Sequence, residues 1–460
     1  MASSTSLLNF FTQMSNLGGV IVQDPVKLDL DLYIQNYKGR TRYDRLIFIG
    51  KSSVALCVDA LKGAMAEAKA DSDISRYREA WECLRVAAPG EPEADRDVAW
   101  IERTDRANKE ETHRLEAELK AYKNNFVKDS IRMGNEDLGR HFEKIGDLAA
   151  AAEHYGKMRQ DVSTTRHIID CSKHLVDVSL QRRDWTMVLN NLGKVTGLQV
   201  AENKTPSAYT RIVSGIGLLG LGRFEDAAKS FLETDSTTPP SKYDHIASPN
   251  DVAIYGGLLA LATMERDALQ TLVLDNQSFR TFLEFESHIR KAITLFVNGR
   301  YSNCLSILES YRNEYLLDIY LQKHITAIYS HIRNKCIVQY FKPFSRVTLD
   351  SLNASFAPSG GSVENELVSM IQKGALKARI DAKNKLLVAV QPDSRLEMQK
   401  QALEVASAYE REAKEKLRRI SIMTAGLEVV GKQSHNAAAR SMRDEWLGEM
   451  KSSSGAKSQG

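Results

Sequence analysis

Three residues of this 460-residue sequence have the types and spacing of a metal site. His167, Cys171 and His174 are separated by four and then three positions, so a helix would place two imidazoles and a thiol on one face. Zinc prefers such ligands, but a closed site needs a fourth and none lies nearby in the sequence. The alternative is that these residues are buried within a helical array, and we predict no metal.

Two glycine-containing segments match parts of nucleotide-binding motifs. Gly215, Gly217 and Gly220 form the literal pattern G-x-G-x-x-G, which binds dinucleotides where a strand leads into a helix. Here the glycines lie within a predicted helix, so close helix packing is the expected reason for them. Gly50-Lys51-Ser52 matches the end of a phosphate-binding loop, but Arg45 stands where the first glycine should be. We therefore predict no cofactor.

Composition and charge are those of an ordinary globular protein. Hydrophobic residues make up 43% and charged residues 26% of the chain, with a formal net charge of +3. Five well-separated cysteines and the lack of a basic leader suit a reduced compartment, so we expect the cytoplasm and nucleus. No run of about 18 apolar residues occurs that could span a membrane.

The middle of the chain repeats a helix-turn-helix pattern. Short Gly-Asp, Arg-Asp or Gly-Arg segments recur along this part of the chain about every 40 residues. That spacing is the period of helical-pair solenoids. They are Gly146-Asp147, Arg183-Asp184-Trp185, Gly222-Arg223-Phe224, Arg266-Asp267-Ala268 and Gly299-Arg300-Tyr301. Because a single helical pair cannot bury its apolar face, neighbouring pairs are expected to stack.

The segment after the repeats has the element order of a winged helix. An apolar helix ends at Pro343, a short β-prone piece and a short helix follow, and Ser362 begins a further helix. Two β-prone runs around the turn Asp381-Ala382-Lys383-Asn384 then predict a hairpin. Helix, strand, helix, helix and hairpin is the order of a winged helix-turn-helix.

A winged helix can bind nucleic acid or serve assembly. The predicted recognition helix carries Glu364 and Glu366 against the single Lys373, which is unfavourable for contacts to phosphate. The hairpin is more basic but has no aromatic residue for base stacking. We therefore favour partner binding through the open edge of the wing. The residues predicted to form this edge are Arg379, Ile380, Leu386, Val388 and Val390.

Two further segments are candidate partner contacts. An apolar stripe follows one face of a predicted long helix. It consists of Ala402, Ala406, Tyr409, Ala413, Leu417 and Ile420. Nothing compact follows to cover this stripe, so partner helices are the favoured interpretation. Near the start, the run from Leu32 to Phe48 predicts a first helix that caps the array, or a second partner contact. The residues of that contact would be Tyr33, Tyr37, Arg40 and Arg42.

These segments predict a mostly α fold. A tetratricopeptide-like helical-repeat solenoid is followed by a winged-helix domain with a small antiparallel sheet and a long C-terminal helix. The predicted boundaries are a flexible arm over 1–28, an N-terminal helical region over 29–128, a solenoid over 129–326, a winged helix over 327–392, a C-terminal helix over 393–424 and a flexible tail over 425–460.

The layout resembles the PCI family, which comprises scaffold subunits of the proteasome lid, the COP9 signalosome and translation initiation factor 3. Several stretches are similar to the subunit 1 family of the signalosome. They are Leu32-Tyr33-Ile34-Gln35-Asn36-Tyr37, Gly39-Arg40-Thr41-Arg42, Asp129-Ser130-Ile131-Arg132, Asp251-Val252-Ala253-Ile254-Tyr255-Gly256-Gly257-Leu258 and Leu316-Leu317-Asp318-Ile319-Tyr320-Leu321. The resemblance runs from about Leu32 to about Leu417 and places the helical part of the PCI domain from about residue 235.

The resemblance implies a non-catalytic scaffold in a complex that removes a ubiquitin-like modifier from cullin-RING ligases (deneddylation). A separate zinc metalloprotease subunit performs that removal, and this sequence has neither a His-x-His pair nor His-Glu-x-x-His. The implied partners are other PCI subunits, the metalloprotease-containing subunits and cullin-RING ligases, with no membrane. The alternatives are a scaffold of the proteasome-lid type and a nucleic-acid adaptor that uses the basic wing.

Overall fold

The computed structural model describes residues 2–162, 164–201, 206–357, 361–390 and 394–427. Contacts divide the chain into two units, Met1–Val388 and Ala389–Gly460, and each is described by itself. The described residues form 21 α-helices and one three-stranded sheet, which confirms the predicted fold class. Within these ranges, no helix has both the length and the hydropathy needed to cross a bilayer.

Six helices form the N-terminal region. They are α1 (Ala2–Asn16), α2 (Leu30–Gln35), α3 (Arg40–Ser52), α4 (Cys57–Asp71), α5 (Ile74–Ala87) and α6 (Val98–Asn124). Within the segment 1–28, predicted as a flexible arm, Ala2–Asn16 instead form α1, whose Phe10 and Phe11 are 2% and 5% exposed and join the core of this region. After it, Val22 pairs with Ser53 as an isolated parallel bridge.

The run from Leu32 to Phe48, predicted as one helix, is divided between α2 and α3. Asp29 caps α2 by accepting hydrogen bonds from the amides of Asp31 and Leu32. Gly39 lies at φ +60°, in the region that favours glycine, and this turn separates the two helices.

Twelve helices form the repeats. They are α7 (Lys128–Ile145), α8 (Leu148–Met158), α9 (Thr165–Gln181), α10 (Trp185–Ala201), α11 (Ala208–Gly220), α12 (Phe224–Leu232), α13 (Pro249–Thr263), α14 (Arg266–Ala268), α15 (Gln277–Phe285), α16 (Ser287–Val297), α17 (Tyr301–Leu316) and α18 (Ile325–Phe341), with a π-helical stretch Leu269–Leu274 after α14. Each predicted turn lies between two helices or at the start of α14. Gly146, Gly222 and Gly299 all adopt positive φ there, which lets one helix end and the next fold back.

The glycines of the G-x-G-x-x-G pattern lie in α11, where they allow close helix packing. A Cβ at Gly215 would lie 2.6 Å from Phe231 Cζ, and one at Gly220 would overlap the Trp185 ring. A dinucleotide site would need a preceding strand, whereas a helix surrounds these glycines. They are packing residues, as the sequence predicts.

Replacing Gly215 with alanine is expected to lower the free energy of unfolding by about 1–3 kcal/mol, because the added methyl overpacks the interface with Phe231. Gly193→Ala is the matched control, since a Cβ there meets no atom within 4 Å. That control should be neutral or stabilising by up to about 1 kcal/mol, because alanine has the higher helix propensity. Denaturant unfolding of both variants checks the prediction, and equal stabilities would contradict it.

The winged segment follows α18. Its elements are β1 (Arg346–Thr348), α19 (Leu349–Phe356), α20 (Glu364–Gln372), β2 (Ala378–Asp381) and β3 (Leu386–Ala389). The strand order is β1-β3-β2, and β1 pairs antiparallel with β3 with Val347 opposite Leu387. Both of these side chains are buried. The second unit contains α21 (Ser394–Thr424), a helix of 31 residues.

Candidate assembly surfaces

The N-terminal stretch of tyrosines and arginines is organised by one buried arginine. Arg45 of α3 has a side chain only 1% exposed and forms two ion pairs. Its Nη2 lies 2.8 Å from Asp251 Oδ2 in α13, and its Nη1 lies 2.9 Å from Asp318 Oδ2 in the turn after α17. A buried guanidinium needs such partners, because desolvating an unpaired charge is costly.

Tyrosines complete this cluster. Tyr37 Oη donates to both carboxylate oxygens of Asp251, at 2.8 and 2.9 Å, and Tyr255 Oη donates to Asp318 Oδ2 at 2.6 Å. The Arg45 guanidinium also lies over the Tyr37 ring, 4.1 Å from its centroid. Burial raises the pKa of Asp251 to about 6, and the charge of Arg45 opposes that rise. The cluster therefore joins the segment before α3 to α13 and to the turn after α17.

The predicted N-terminal partner contact is largely internal. Tyr37 is 1% exposed within the cluster, and Tyr33 Oη contacts Arg45. The Arg40 side chain is 11% exposed and its Nη2 lies 3.1 Å from Asp73 Oδ2. Arg42 is more accessible, at 38% exposed, and its Nε lies 3.1 Å from Glu67 Oε1. Tyr37 and Arg40 thus hold the fold together and offer no surface to a partner.

The structure places the predicted wing-edge residues on two different strands. Arg379 is exposed and Ile380 half-buried on β2, which lies at an edge of the sheet. Leu386 and Val388 lie on β3, the central strand, so their backbone is already paired and they cannot form an edge. Val390 follows β3 and is 38% exposed. The prediction that Leu386 and Val388 belong to an open edge is therefore wrong.

The second edge of the sheet was missed by sequence reasoning. It is β1, where Arg346 and Thr348 are exposed and Val347 is buried. Among the described residues, no strand other than β3 pairs with β1 or with β2. The sequence predicts a short β-prone piece here, and the alternation of polar and apolar residues over Arg346–Thr348 is its signal, but three residues do not identify the strand with which it pairs.

The predicted apolar stripe lies on α21, within the second unit. Its members lie on one side of the helix because consecutive members are three or four residues apart. Its largest side chains are Tyr409, Leu417 and Ile420, which are 74%, 64% and 54% exposed. The stripe also includes Ala402, Ala406 and Ala413. Large apolar side chains at these exposures are a favourable surface for a partner helix.

His167, Cys171 and His174 do not assemble a metal site. The Cys171 thiol donates to the Tyr155 carbonyl at 3.1 Å, and the His174 ring stacks on Tyr155 with centroids 4.7 Å apart. Burial lowers the pKa of His174, so the ring is a neutral packing group. Across the described ranges, no group of three or more His, Cys, Asp or Glu is arranged to hold a metal ion.

Helix α20, which occupies the position of a recognition helix in the winged segment, is poorly suited to binding phosphate. Arg333 of α18 is bound by Glu366 of α20, with its Nε 2.8 and 3.0 Å from the two carboxylate oxygens. One cation next to this helix is thereby neutralised. The basic residues of the hairpin remain exposed, and they are Lys377, Arg379, Lys383 and Lys385.

Comparison with known proteins matches two families. Residues 97–272 match the family described as 26S proteasome subunit RPN7, and residues 308–390 match the PCI domain. These ranges run from α6 to the π-helical stretch and from α17 to the end of the winged segment.

Full-length relatives are more informative. The chain is 51% identical to COP9 signalosome complex subunit 1 of Neurospora crassa, over 92% of this chain and 93% of that protein. It is 33% identical to the subunit of that name from Arabidopsis thaliana, over 89% of this chain and 93% of that protein. Identity to the 26S proteasome regulatory subunit RPN7 of Saccharomyces cerevisiae is 23%, over 56% and 61% of the two chains. With a PCI domain at its winged segment and this extent of similarity, the chain belongs to the COP9 signalosome subunit 1 family.

Proposed function

We propose that this chain is a non-catalytic scaffold subunit of the COP9 signalosome, the complex that removes a ubiquitin-like modifier from cullin-RING ligases. The proposal rests on one structural observation. The winged segment of this PCI-domain chain contains a small sheet with two unpaired edges. Membership of a scaffold family also supports a role without catalysis.

The two edges suit an arrangement of neighbouring subunits. An unpaired strand presents N–H and C=O groups that a strand of another chain can bind. Because β1 and β2 lie on opposite sides of β3, a different neighbour can pair on each side. Such head-to-tail contacts between like domains produce arcs or rings rather than closed pairs. The chain can thus hold two PCI subunits at once.

The stripe on α21 supports a second mode of contact. Burying a large apolar side chain contributes ~1.5–3 kcal/mol, so packing Tyr409, Leu417 and Ile420 into a shared helical bundle would stabilise an assembly substantially. The opposite face of this helix carries charged residues such as Arg411, Glu415 and Arg418, which suits exposure to water.

Proline substitution in β2 tests pairing at the sheet edge. Successive N–H groups along a strand point to opposite sides. One of the variants Arg379→Pro and Ile380→Pro therefore removes an N–H that points outward, away from β3, and the other removes an N–H that points toward β3 and breaks the pairing of β2 with β3. We expect the outward substitution to weaken binding of the neighbouring subunit at least about tenfold, because one backbone hydrogen bond is lost and the proline ring obstructs the approach of a pairing strand. Its thermal midpoint should remain that of the unsubstituted chain.

The measurement is incorporation into the reconstituted complex, with the thermal midpoint of each isolated variant recorded alongside. Arg379→Thr is the matched control, because it removes the side chain but keeps the N–H. If both proline variants assemble normally, pairing through β2 is wrong.

The partners in this proposal are the other PCI subunits, the metalloprotease-containing subunits and cullin-RING ligases. A cytoplasmic and nuclear location belongs to the same proposal, and the free state of all five cysteines is consistent with it. The exposed basic hairpin favours one rival, a nucleic-acid adaptor. Salt-dependent binding of a labelled duplex that is lost when Lys383 and Lys385 are replaced by glutamate would favour that rival.

A further inference from the structure

The turn between α6 and α7 carries an exposed aromatic residue in a strained conformation. Phe126 lies at φ +55°, in the left-handed region, and its side chain is 86% exposed. An aromatic residue is disfavoured at such a φ, and an exposed phenyl ring gains nothing from the core. The positive φ opposes folding and the exposed ring contributes nothing to it, so the fold alone does not account for phenylalanine here.

Equivalent turns elsewhere in the chain show what the geometry itself requires. Gly146, Gly222 and Gly299 occupy the positive-φ positions that follow α7, α11 and α16. Arg183 occupies the one after α9, and there the side chain has an internal role: its Nη1 donates to the Ile319 carbonyl at 3.3 Å and its guanidinium lies 5.1 Å from the Tyr320 ring centroid. Phe126 has no ring or cation contact of this kind within the described residues.

Backbone hydrogen bonds and close packing of α6 against α7 define the turn that carries Phe126. The Phe126 amide donates to the Lys123 carbonyl at 3.2 Å, and the Ile131 amide donates to the Val127 carbonyl at 3.0 Å. Below it, Gly134 lets α7 approach α6 so closely that a Cβ there would lie 3.1 Å from Leu119 Cδ1. The adjacent Val127 is 49% exposed and extends the apolar surface.

Lysines surround this surface. Lys120, Lys123 and Lys128 are exposed, and no ion pair within the described ranges engages them. Asp129 is the only acidic residue between positions 119 and 129. The tip formed by residues 119–129 is therefore apolar at its centre and positive around it.

We propose that this tip docks an acidic peptide segment of a partner protein that carries a large apolar side chain. Phe126 and Val127 would receive the apolar side chain, and the three lysines would pair with carboxylates beside it. A nucleic-acid strand fits less well, because its phosphates would continue along α6 to Glu116 and Glu118. One aromatic ring also offers only a single stacking position.

Phe126→Gly provides the test, because glycine adopts the left-handed region without strain. The probe is a short fluorescein-labelled peptide of repeated Asp-Glu-Phe-Leu units, titrated with the full-length chain. We expect Phe126→Gly to raise the Kd at least about tenfold, as truncation of a central aromatic anchor does. The thermal midpoint should stay the same or rise. Charge reversal by Lys123→Glu with Lys128→Glu should also abolish binding, and added salt should weaken binding to the unsubstituted chain.

Phe285→Ser is the matched control, because Phe285 is also exposed, at 57%, but lies on α15. It should bind the peptide normally. Unchanged peptide binding by Phe126→Gly would overturn the proposal, and so would a lower thermal midpoint, which would give Phe126 an internal role. Phe126-dependent binding of single-stranded DNA in preference to the peptide would replace the protein partner with a nucleic acid. The assembly proposal stands independently, because the tip shares no residue with the winged sheet or α21.

Discussion

Replacing Arg45 with methionine is expected to lower the free energy of unfolding by about 3–5 kcal/mol, because it leaves two buried carboxylates without their cation. Methionine keeps the aliphatic part of the side chain and removes the guanidinium with its two ion pairs. Asp251 and Asp318 would then face each other at a buried site without the guanidinium that binds both of them. The N-terminal helices should lose their attachment to α13, since the cluster joins them to it. Denaturant unfolding measures the loss directly.

Two comparisons make this result specific to the buried cluster. Arg42→Met removes an arginine from the same helix whose side chain is 38% exposed, and it should cost less than about 1 kcal/mol. Adding Asp251→Asn and Asp318→Asn to Arg45→Met should recover part of the stability, because no uncompensated charge remains. If Arg45→Met and Arg42→Met unfold at the same denaturant concentration, the cluster does not stabilise the fold as described.

A chain that ends after Asp393 is expected to fold but to be incorporated into the complex more than about tenfold less efficiently. Packing of three large apolar side chains is lost, at ~1.5–3 kcal/mol each, which exceeds the 1.4 kcal/mol of a tenfold change. The first unit, Met1–Val388, keeps all of its residues and should retain its thermal midpoint. Quantitative pull-down from co-expression with the other subunits measures the effect.

Substitutions in the full-length chain separate the stripe from the rest of the tail. Serine at Tyr409, Leu417 and Ile420 should reproduce the truncation. Serine at Arg411, Glu415 and Arg418, on the opposite face of α21, should leave incorporation intact. Equal incorporation of both triple variants would contradict a role for the stripe, and normal incorporation of the truncated chain would contradict a role for the helix.

Short sequence patterns predicted those helices and turns whose conformation depends on neighbouring residues. The repeat turns were visible because glycine at positive φ ends a helix and a new apolar pattern begins after it, as at Gly146 and Gly222. The helix α1 was also visible in principle, since Leu7, Phe10, Phe11 and Met14 have helical spacing. The polar and glycine-containing residues that follow led to the wrong prediction of a flexible arm.

Features that depend on distant contacts were not predictable in this way. Arg45 meets partners 206 and 273 positions away along the chain, and nothing near it in the sequence identifies Asp251 or Asp318 as those partners. The order of the sheet is a similar case, because the hairpin suggests that β3 is outermost until β1 pairs with its other side. Tyr37, which the sequence offers as a candidate partner contact, is buried for the same reason. Three of the stretches that resemble the family contain Tyr37, Asp251 and Asp318, and they meet at this cluster.

Native mass spectrometry of the material purified through an affinity tag on this chain tests the scaffold role most directly. We expect one copy of the chain within a multi-subunit assembly that also contains other PCI subunits and a metalloprotease subunit. We also expect the serine triple variant of the α21 stripe to shift this chain toward a free monomer. Recovery of the unsubstituted chain only as a monomer, with no other subunit bound, would contradict the account.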